Sequence, residues 1–322
     1  MVYGRFIGGI NPCNTHTTMA HHIEEKDTMF SGSNTVPWHG LGTVIEGRAD
    51  SQKALELARL DWEVENRPIY TADMQEIPGH KALTRTDDGS VLGIVSPKYG
   101  PFQNRALAEI AESIVSTGEA CFETAGSLFN GGIVWFLLKI GERTLCNGEE
   151  HKQYVLASNG HAGKARVSFA LVDTRVVCWN TYSAARAEGG AGFSVMHTTK
   201  VMDRVEAAIK IMRWSREGTE ALFRSYETLI GKAMTLDEAE RILTEKIMPK
   251  ESKKNIDHVL SLYQTGAGNS GKTAYDLFNG VTDWLDHYET KNQRAVELRM
   301  ERVTIGCEAD LKQNALNTLI AV

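Results

Sequence analysis

The stretch GAGNSGKT, Gly266 to Thr273, matches the phosphate-binding pattern G-x-x-x-x-G-K-[ST] at every defined position. In that pattern a glycine-rich turn aims backbone N–H groups at phosphate oxygens, and the lysine reaches the outer phosphates. The device needs a buried strand to feed the turn and a helix to leave it. Here the preceding ESKKNIDHVLSLYQT places Ile256, Val259, Leu260 and Tyr263 at helical spacing, so no strand is expected ahead of the loop. Only 49 residues follow Thr273 and they read as helices, leaving no chain for a parallel nucleotide-binding sheet. FALVD, Phe169 to Asp173, resembles the strand that carries a metal-binding aspartate, but it comes earlier and in a hairpin context. The expectation is a helix–loop–helix connection with Thr273 or Ser270 as N-cap, and no nucleotide or other cofactor.

The remaining reactive residue types do not converge on a catalytic centre. His21, His22, His151 and His161 lack helical i,i+4 partners and neighbouring acidic ligands, which argues against a metal site. WHGLG, Trp38 to Gly42, reads as a turn with Trp38 packed inward. Cys178 and His161 have the types of a thiol nucleophile and its base. Val176, Val177 and Trp179 around the cysteine instead suggest a buried strand, where thiols are inert. G-x-S-x-G, H-E-x-x-H and dinucleotide-binding glycine patterns are all missing. No enzymatic activity is expected.

Charge is the stronger signal. The chain of 322 residues carries a net charge of −6, yet Arg143 to Arg216 holds 11 Lys/Arg against 6 Asp/Glu, leaving 24 against 35 elsewhere. A basic centre in an acidic chain points to an anionic partner. Lys164, Arg166 and Arg175 flank or lie on a strand pair, and Lys200 and Arg204 open a long helix. On that helix Val201, Val205, Ala208, Ile209 and Met212 form an apolar stripe. Lys200, Arg204, Lys210 and Trp214 fall opposite it. Cations that track phosphates beside a ring that stacks on a base suit single-stranded nucleic acid. Trp214 and Tyr99 are the stacking candidates. A solvated face, with Trp214 packed on another helix or subunit and Asp203 and Glu206 diluting the charge, explains the same letters.

The elements that position these residues follow from periodicity and turn chemistry. Residues 20–48 look irregular. Ser51 to Leu60 reads as a capped helix, WEVENRPIY as a strand, and Asp88-Gly89 as a hairpin turn. Leu107, Ile110, Ala111 and Ile114 give a helix from Asn104 closed by Gly118. Asn130-Gly131 and Asn159-Gly160 mark hairpins in a strand-rich centre. TRVVCWN adds a short strand that turns into helix at Asn180 or Thr181. A long helix runs from Lys200, interrupted near Gly218. Further helices cover Thr235 to Ile247, Ser252 to Gln264, Thr273 to Glu289 and Ala309 to Ile320. Strands gather in the middle and helices at the end, so the class is α+β, a central antiparallel β-meander packed on a long helix.

Composition fits a globular chain, 42% hydrophobic and 24% charged. The longest apolar run is IVWFLL, Ile133 to Leu138, far short of the roughly 20 residues that span a bilayer, so no membrane segment is expected. The first residues lack a cleavage pattern, and residues 1–18 read as an extension ahead of Met19. Five scattered cysteines without C-x-x-C argue against a disulfide framework or a zinc site and fit a reducing cytoplasm. The expected organisation is an irregular extension over 1–28, an α+β core over 29–217 and a helical region over 218–322.

TVPWHGLGT (Thr35 to Thr43), TRVVCWNT (Thr174 to Thr181) and GKTAYDLFNGVTDWLDH (Gly271 to His287) resemble a phage- and plasmid-borne family known as domain of unknown function 932. The resemblance covers roughly Met29 to the end. In that family the last block has a Gly-Thr, an aromatic and an Asn-x-Val-Thr helix without a required phosphate loop. A more distant resemblance is to RecT/Redβ-type single-strand annealing proteins, whose core is an antiparallel meander beside a long helix. It implies ATP-independent binding and annealing of single-stranded DNA by a homo-oligomeric ring or filament, working with phage or host replication and recombination proteins. Lys164, Arg166, Arg175, Lys200 and Arg204 would contact phosphates. The alternative is a phage or plasmid interaction or anti-defence factor with a protein partner.

Overall fold

The alternation of apolar residues along the central strands gives a sheet with two buried faces. In the computed structural model, which describes residues 29–31, 43–44, 49–161, 167–175, 181–184, 201–289 and 307–322, that sheet has seven strands. In chain order the first elements are β1 (Met29–Ser31), β2 (Thr43–Val44), α1 (Ser51–Leu57), β3 (Val64–Tyr70), β4 (Glu76–Arg85), β5 (Val91–Val95) and α2 (Asn104–Ile114). Then come β6 (Cys121–Leu128), β7 (Ile133–Thr144), β8 (Glu150–Gly160), β9 (Ser168–Arg175) and β10 (Thr181–Ala184). The helical part holds α3 (Val201–Gly231), α4 (Leu236–Ile242), α5 (Lys253–Thr265), α6 (Ala274–Asp283) and α7 (Cys307–Ala321). The class is α+β, with an antiparallel meander and a helical C-terminal region.

The large sheet has the order β10-β9-β8-β7-β6-β1-β2, antiparallel except for the β1–β2 pair. Residues of one parity, among them Val134, Phe136, Leu138, Val155, Ala157 and Phe169, share a core with Leu107, Ile110 and Ile114 of α2 and Ala208, Ile211 and Met212 of α3. Each fully buried large side chain there contributes about 1.5–3 kcal/mol. Trp135, Tyr154, Leu156, Ala170 and Val172, of the other parity, form a smaller cluster on the opposite face.

A separate three-stranded sheet, β3-β4-β5, is pinned to the large one by Arg85. Its buried guanidinium lies 4.4 Å from the Trp62 ring, pairs with Asp87 at 2.7 Å and donates to the Asn130 carbonyl at 3.3 Å. The Asn130-Gly131 turn therefore packs under Trp62. A Cβ on Gly131 would meet that ring at 2.9 Å, and its φ of 90° is one that glycine favours.

Four expectations are corrected here. Short strands β1 and β2 join the sheet inside the stretch read as irregular. Asn159-Gly160 is strand, not turn: Gly160 pairs with Ile133, and the Asn159 amide donates to the Phe102 carbonyl at 3.0 Å. The turn between β7 and β8 uses Asn147-Gly148 instead, with Gly148 at φ 86° and the Asn147 side-chain Oδ1 accepting from Glu149 N–H. Thr181–Ala184 is strand β10, paired with Leu171–Thr174, rather than a helix start. Finally, α3 is unbroken at Gly218, which sits over the sheet where a Cβ would touch Leu171 Cδ2 at 3.1 Å. The region boundary at 217/218 thus falls inside one helix, although the cores do change there. Met212 belongs to the sheet core and Leu222 to the helical core around Phe223, Tyr226, Tyr263, Tyr275 and Phe278.

Candidate functional site

Lys164, Arg166, Lys200, Cys178 and the WHGLG stretch lie outside the described residues. Arg175 and Arg204 are placed by their backbones. Arg175 ends β9 and takes the register position opposite His151, whereas Ser168, at the start of β9, pairs with Ser158. The two ends of β9 are about 23 Å apart. The direction of α3 follows from two contacts: Gly218 lies against Leu171, and the Tyr226 hydroxyl donates to Asp173 Oδ2 at 3.2 Å. Helix and strand run the same way. Arg204, 14 residues before Gly218, therefore lies toward the end of the sheet where β9 begins at Ser168, about 21 Å along the helix. Arg175 belongs to the other end.

Trp214 is half-buried on α3, and Tyr99 is half-buried beside the sheet core, where burial pushes its phenol up from the ordinary value. The Tyr99 carbonyl accepts from the Asn66 amide at 3.1 Å. The buried stripe of α3 runs through Ala208, Ile211, Met212 and Ser215; Ile209, expected in the stripe, is instead 57% exposed. The cations on this part of α3 have carboxylate partners. Lys210 pairs with Glu206 and Arg213 with Glu217, both at 3.1 Å, and Arg216 reaches Glu119. Arg143 on β7 pairs with Glu220 at 2.8 Å and lies 4.8 Å over the Phe223 ring.

The phosphate-loop sequence joins α5 to α6, with Ser252 and Thr273 as their N-caps. Two of its N–H groups and one hydroxyl converge on a carboxylate of the protein. Asp276 Oδ2 accepts from the N–H of Lys272 and of Thr273, each at 3.0 Å, and from the Ser270 hydroxyl at 2.8 Å. Burial pushes the Asp276 carboxyl up, but those hydrogen bonds outweigh it and hold it below the ordinary value. The protein's own carboxylate fills the anion position.

Sequence spacing does not reveal the polar cluster between the sheet and the helices. His151 of β8, 2% exposed, places Nδ1 at 2.6 Å from Asp173 Oδ2 and Nε2 at 2.9 Å from the Tyr275 hydroxyl of α6. Tyr275 in turn donates to Glu149 Oε2 at 3.1 Å, and Gln153 donates to Asp173 Oδ1 at 3.3 Å. Glu149 lines a cavity of about 530 Å³ shared with Asn147, Glu150, Ile230, Ser270 and Asp276. One sequence signal was present: His151, Gln153 and Asp173 have the parity of the core-facing strand positions Val155 and Ala157. Polar side chains there must find polar partners.

His161 is a structural residue. It is buried edge-on to Trp62 with centroids 5.4 Å apart, and its Nε2 is 2.8 Å from Asn104 Oδ1. Burial and the Arg85 charge push its imidazole down to about 4. Cys121 is half-buried and Cys146 exposed, and neither is in a disulfide. Among the described residues no group of His, Cys, Asp or Glu is arranged to hold a metal ion. No described helix is long and apolar enough to cross a membrane.

The model of the family "Domain of unknown function (DUF932)" matches residues 91–305, which take in α2, the meander from β6 to β10, α3 and the α5–α6 loop. The chain belongs to the DUF932 family. The match spans both the sheet and the helices that meet at His151 and Tyr275, so the polar cluster lies inside the DUF932 region. No curated protein and no solved structure matches the chain.

Proposed function

We propose that this DUF932 protein binds and anneals single-stranded DNA without ATP, as a homo-oligomer serving phage- or plasmid-type recombination. The observation that supports this reading is topological. Strands β6 to β10 form a consecutive meander with a 31-residue helix along it. Arg204, near the start of α3, lies toward the same end of that layer as Ser168, where β9 begins, and Lys164, Arg166 and Lys200 are close to these two residues in sequence. A cationic end on a rigid sheet suits a phosphate track, and base pairing between bound strands supplies the driving force for annealing. An ATP-independent mechanism agrees with a phosphate-loop sequence filled by Asp276.

The test is binding of a long oligo-dT and annealing of complementary strands without nucleotide, at about 50 and 200 mM salt. Affinity should fall steeply with salt because each neutralised phosphate releases counterion. Lys164→Glu with Arg204→Glu should weaken binding at least about tenfold. Undetectable binding, or affinity indifferent to salt, removes the reading.

A second reading, a protein-interaction or anti-defence factor, is favoured by the carboxylate partners of Lys210, Arg213 and Arg216. Loss of biological function in the double charge reversal with unchanged DNA affinity would select it.

A further inference from the structure

Helices α5 and α6 run antiparallel away from the Gly266–Thr273 loop, touching where Gly280 meets the α5 backbone at Val259 and Tyr263. The other end of this helical hairpin carries two rings and three lysines. Tyr288 closes the turn that follows α6 and is 45% exposed. Its ring lies edge-on to that of His258 on α5, with centroids 4.6 Å apart. Lys254 stands one helical turn before His258 on the same face, about 6 Å along the axis. Lys253 opens the helix and Lys250 comes just before it, and all three lysines are exposed.

These lysines differ from the cations of α3. Lys210, Arg213 and Arg216 each meet a carboxylate, whereas Lys250, Lys253 and Lys254 have no ion-pair partner among the described residues. Neighbouring carboxylates are engaged elsewhere: Glu251 accepts from the Asn255 amide at 2.8 Å, Asp283 lies 3.9 Å from His287 Nε2, and Asp286 pairs with Lys312. Asp257 of α5 is exposed and offsets one of the three charges.

We propose that this end of the hairpin holds single-stranded nucleic acid, with Lys250, Lys253 and Lys254 on its phosphates and a base stacked on Tyr288. The proposal rests on the single-strand-binding reading above and gives it a contact surface outside the basic centre of the sequence. Lysines without a carboxylate partner break no ion pair when they meet a phosphate, so counterion release is not offset. A stacking platform has to be held in place and yet stay open. The His258 ring braces Tyr288 from one side, and solvent meets the rest. Stacking tolerates any base, which suits a surface that must accept any strand.

The test is a titration of the full-length protein with a long oligo-dT between about 50 and 200 mM salt. The triple variant Lys250→Gln, Lys253→Gln, Lys254→Gln should flatten the slope of log affinity against log salt by about 2, at roughly 0.7 for each phosphate contact on a single strand. The double variant Arg213→Gln, Arg216→Gln removes paired charges and should leave that slope as it is. Tyr288→Ala should weaken binding about tenfold, and Tyr288→Phe should bind like the wild type, because the ring stacks and the hydroxyl does not. If the wild type binds and both the lysine triple and Tyr288→Ala leave its affinity and slope untouched, this site is overturned and the single-strand reading stands. An equal loss of slope per charge in the arginine pair overturns the site as well, since overall charge would then explain the effect. A wild type that binds no oligo-dT removes both the site and the reading.

Discussion

The carboxylate of Asp276 accepts the backbone N–H of Lys272 at 3.0 Å, so the anion position of the Gly266–Thr273 loop is occupied from within the protein. Thr273 and Asp276 also form a reciprocal capping box at the start of α6. Asp276→Ala should therefore cost about 2 kcal/mol or more, through lost capping and lost charge-assisted bonds. Lys272→Ala should leave stability within about 0.5 kcal/mol, as is usual for a substitution away from a cap or core. Neither variant should change phosphate release from ATP, because none is expected in the wild type. ATP hydrolysis abolished by Lys272→Ala would sink this account.

The loop could be judged from the letters because the test was local: helical spacing before it excludes a feeding strand. Hairpins at Asp88-Gly89 and Asn130-Gly131 were legible for the same reason, with Gly89 and Gly131 at positive φ. Asn159-Gly160 and Asn147-Gly148 show the limit. Both dipeptides favour a turn, and the choice between them was made by pairing across β7 and by Phe102, a carbonyl 57 residues away from Asn159. The His151–Tyr275 contact spans 124 residues, which no spacing rule reaches. The stripe read for α3 holds at Ala208 and Met212 but not at Ile209, because the packing on the sheet buries Ile211 in its place.

Two glycines in helices should respond differently to alanine. A Cβ on Gly280 of α6 would lie 2.9 Å from Tyr263 N and 3.0 Å from Val259 O, both backbone atoms of α5. Backbone cannot step aside without separating the helices, so Gly280→Ala should destabilise by about 1–3 kcal/mol. At Gly218 the nearest atom is the flexible end of Leu171, at 3.1 Å. Helix propensity favours Gly218→Ala by up to about 1 kcal/mol, which should roughly cancel the contact. Urea unfolding midpoints of the two variants check this, and equal losses would contradict it.

His161 should give the fold a defined acid sensitivity. Its imidazole titrates near 4 in the folded chain, against 6.5 for an ordinary histidine. The unfolded chain therefore binds more protons between these values, so stability is intact above pH 6.5 and declines as pH falls toward 4. The loss amounts to about 3 kcal/mol for this one group. His161→Gln keeps a polar partner for Asn104 without a titrating ring. Its stability should fall less than the wild type's across that window. Parallel curves for the two proteins would show that His161 is not the source.

Lys312 on α7 is fully buried and pairs with Asp286, in the turn that follows α6. This ion pair fastens the C-terminal helix, yet two charges in a dry site gain little over apolar packing. Removing one member leaves the other buried charge without its counter-ion of this pair. Lys312→Met or Asp286→Leu alone should thus cost about 3–5 kcal/mol, while the double replacement should lie much closer to the wild type. The coupling is read from a double-mutant cycle of unfolding free energies. Additive losses in the double variant would mean that the pair fastens α7 by packing of the two stems, and that its charges are incidental.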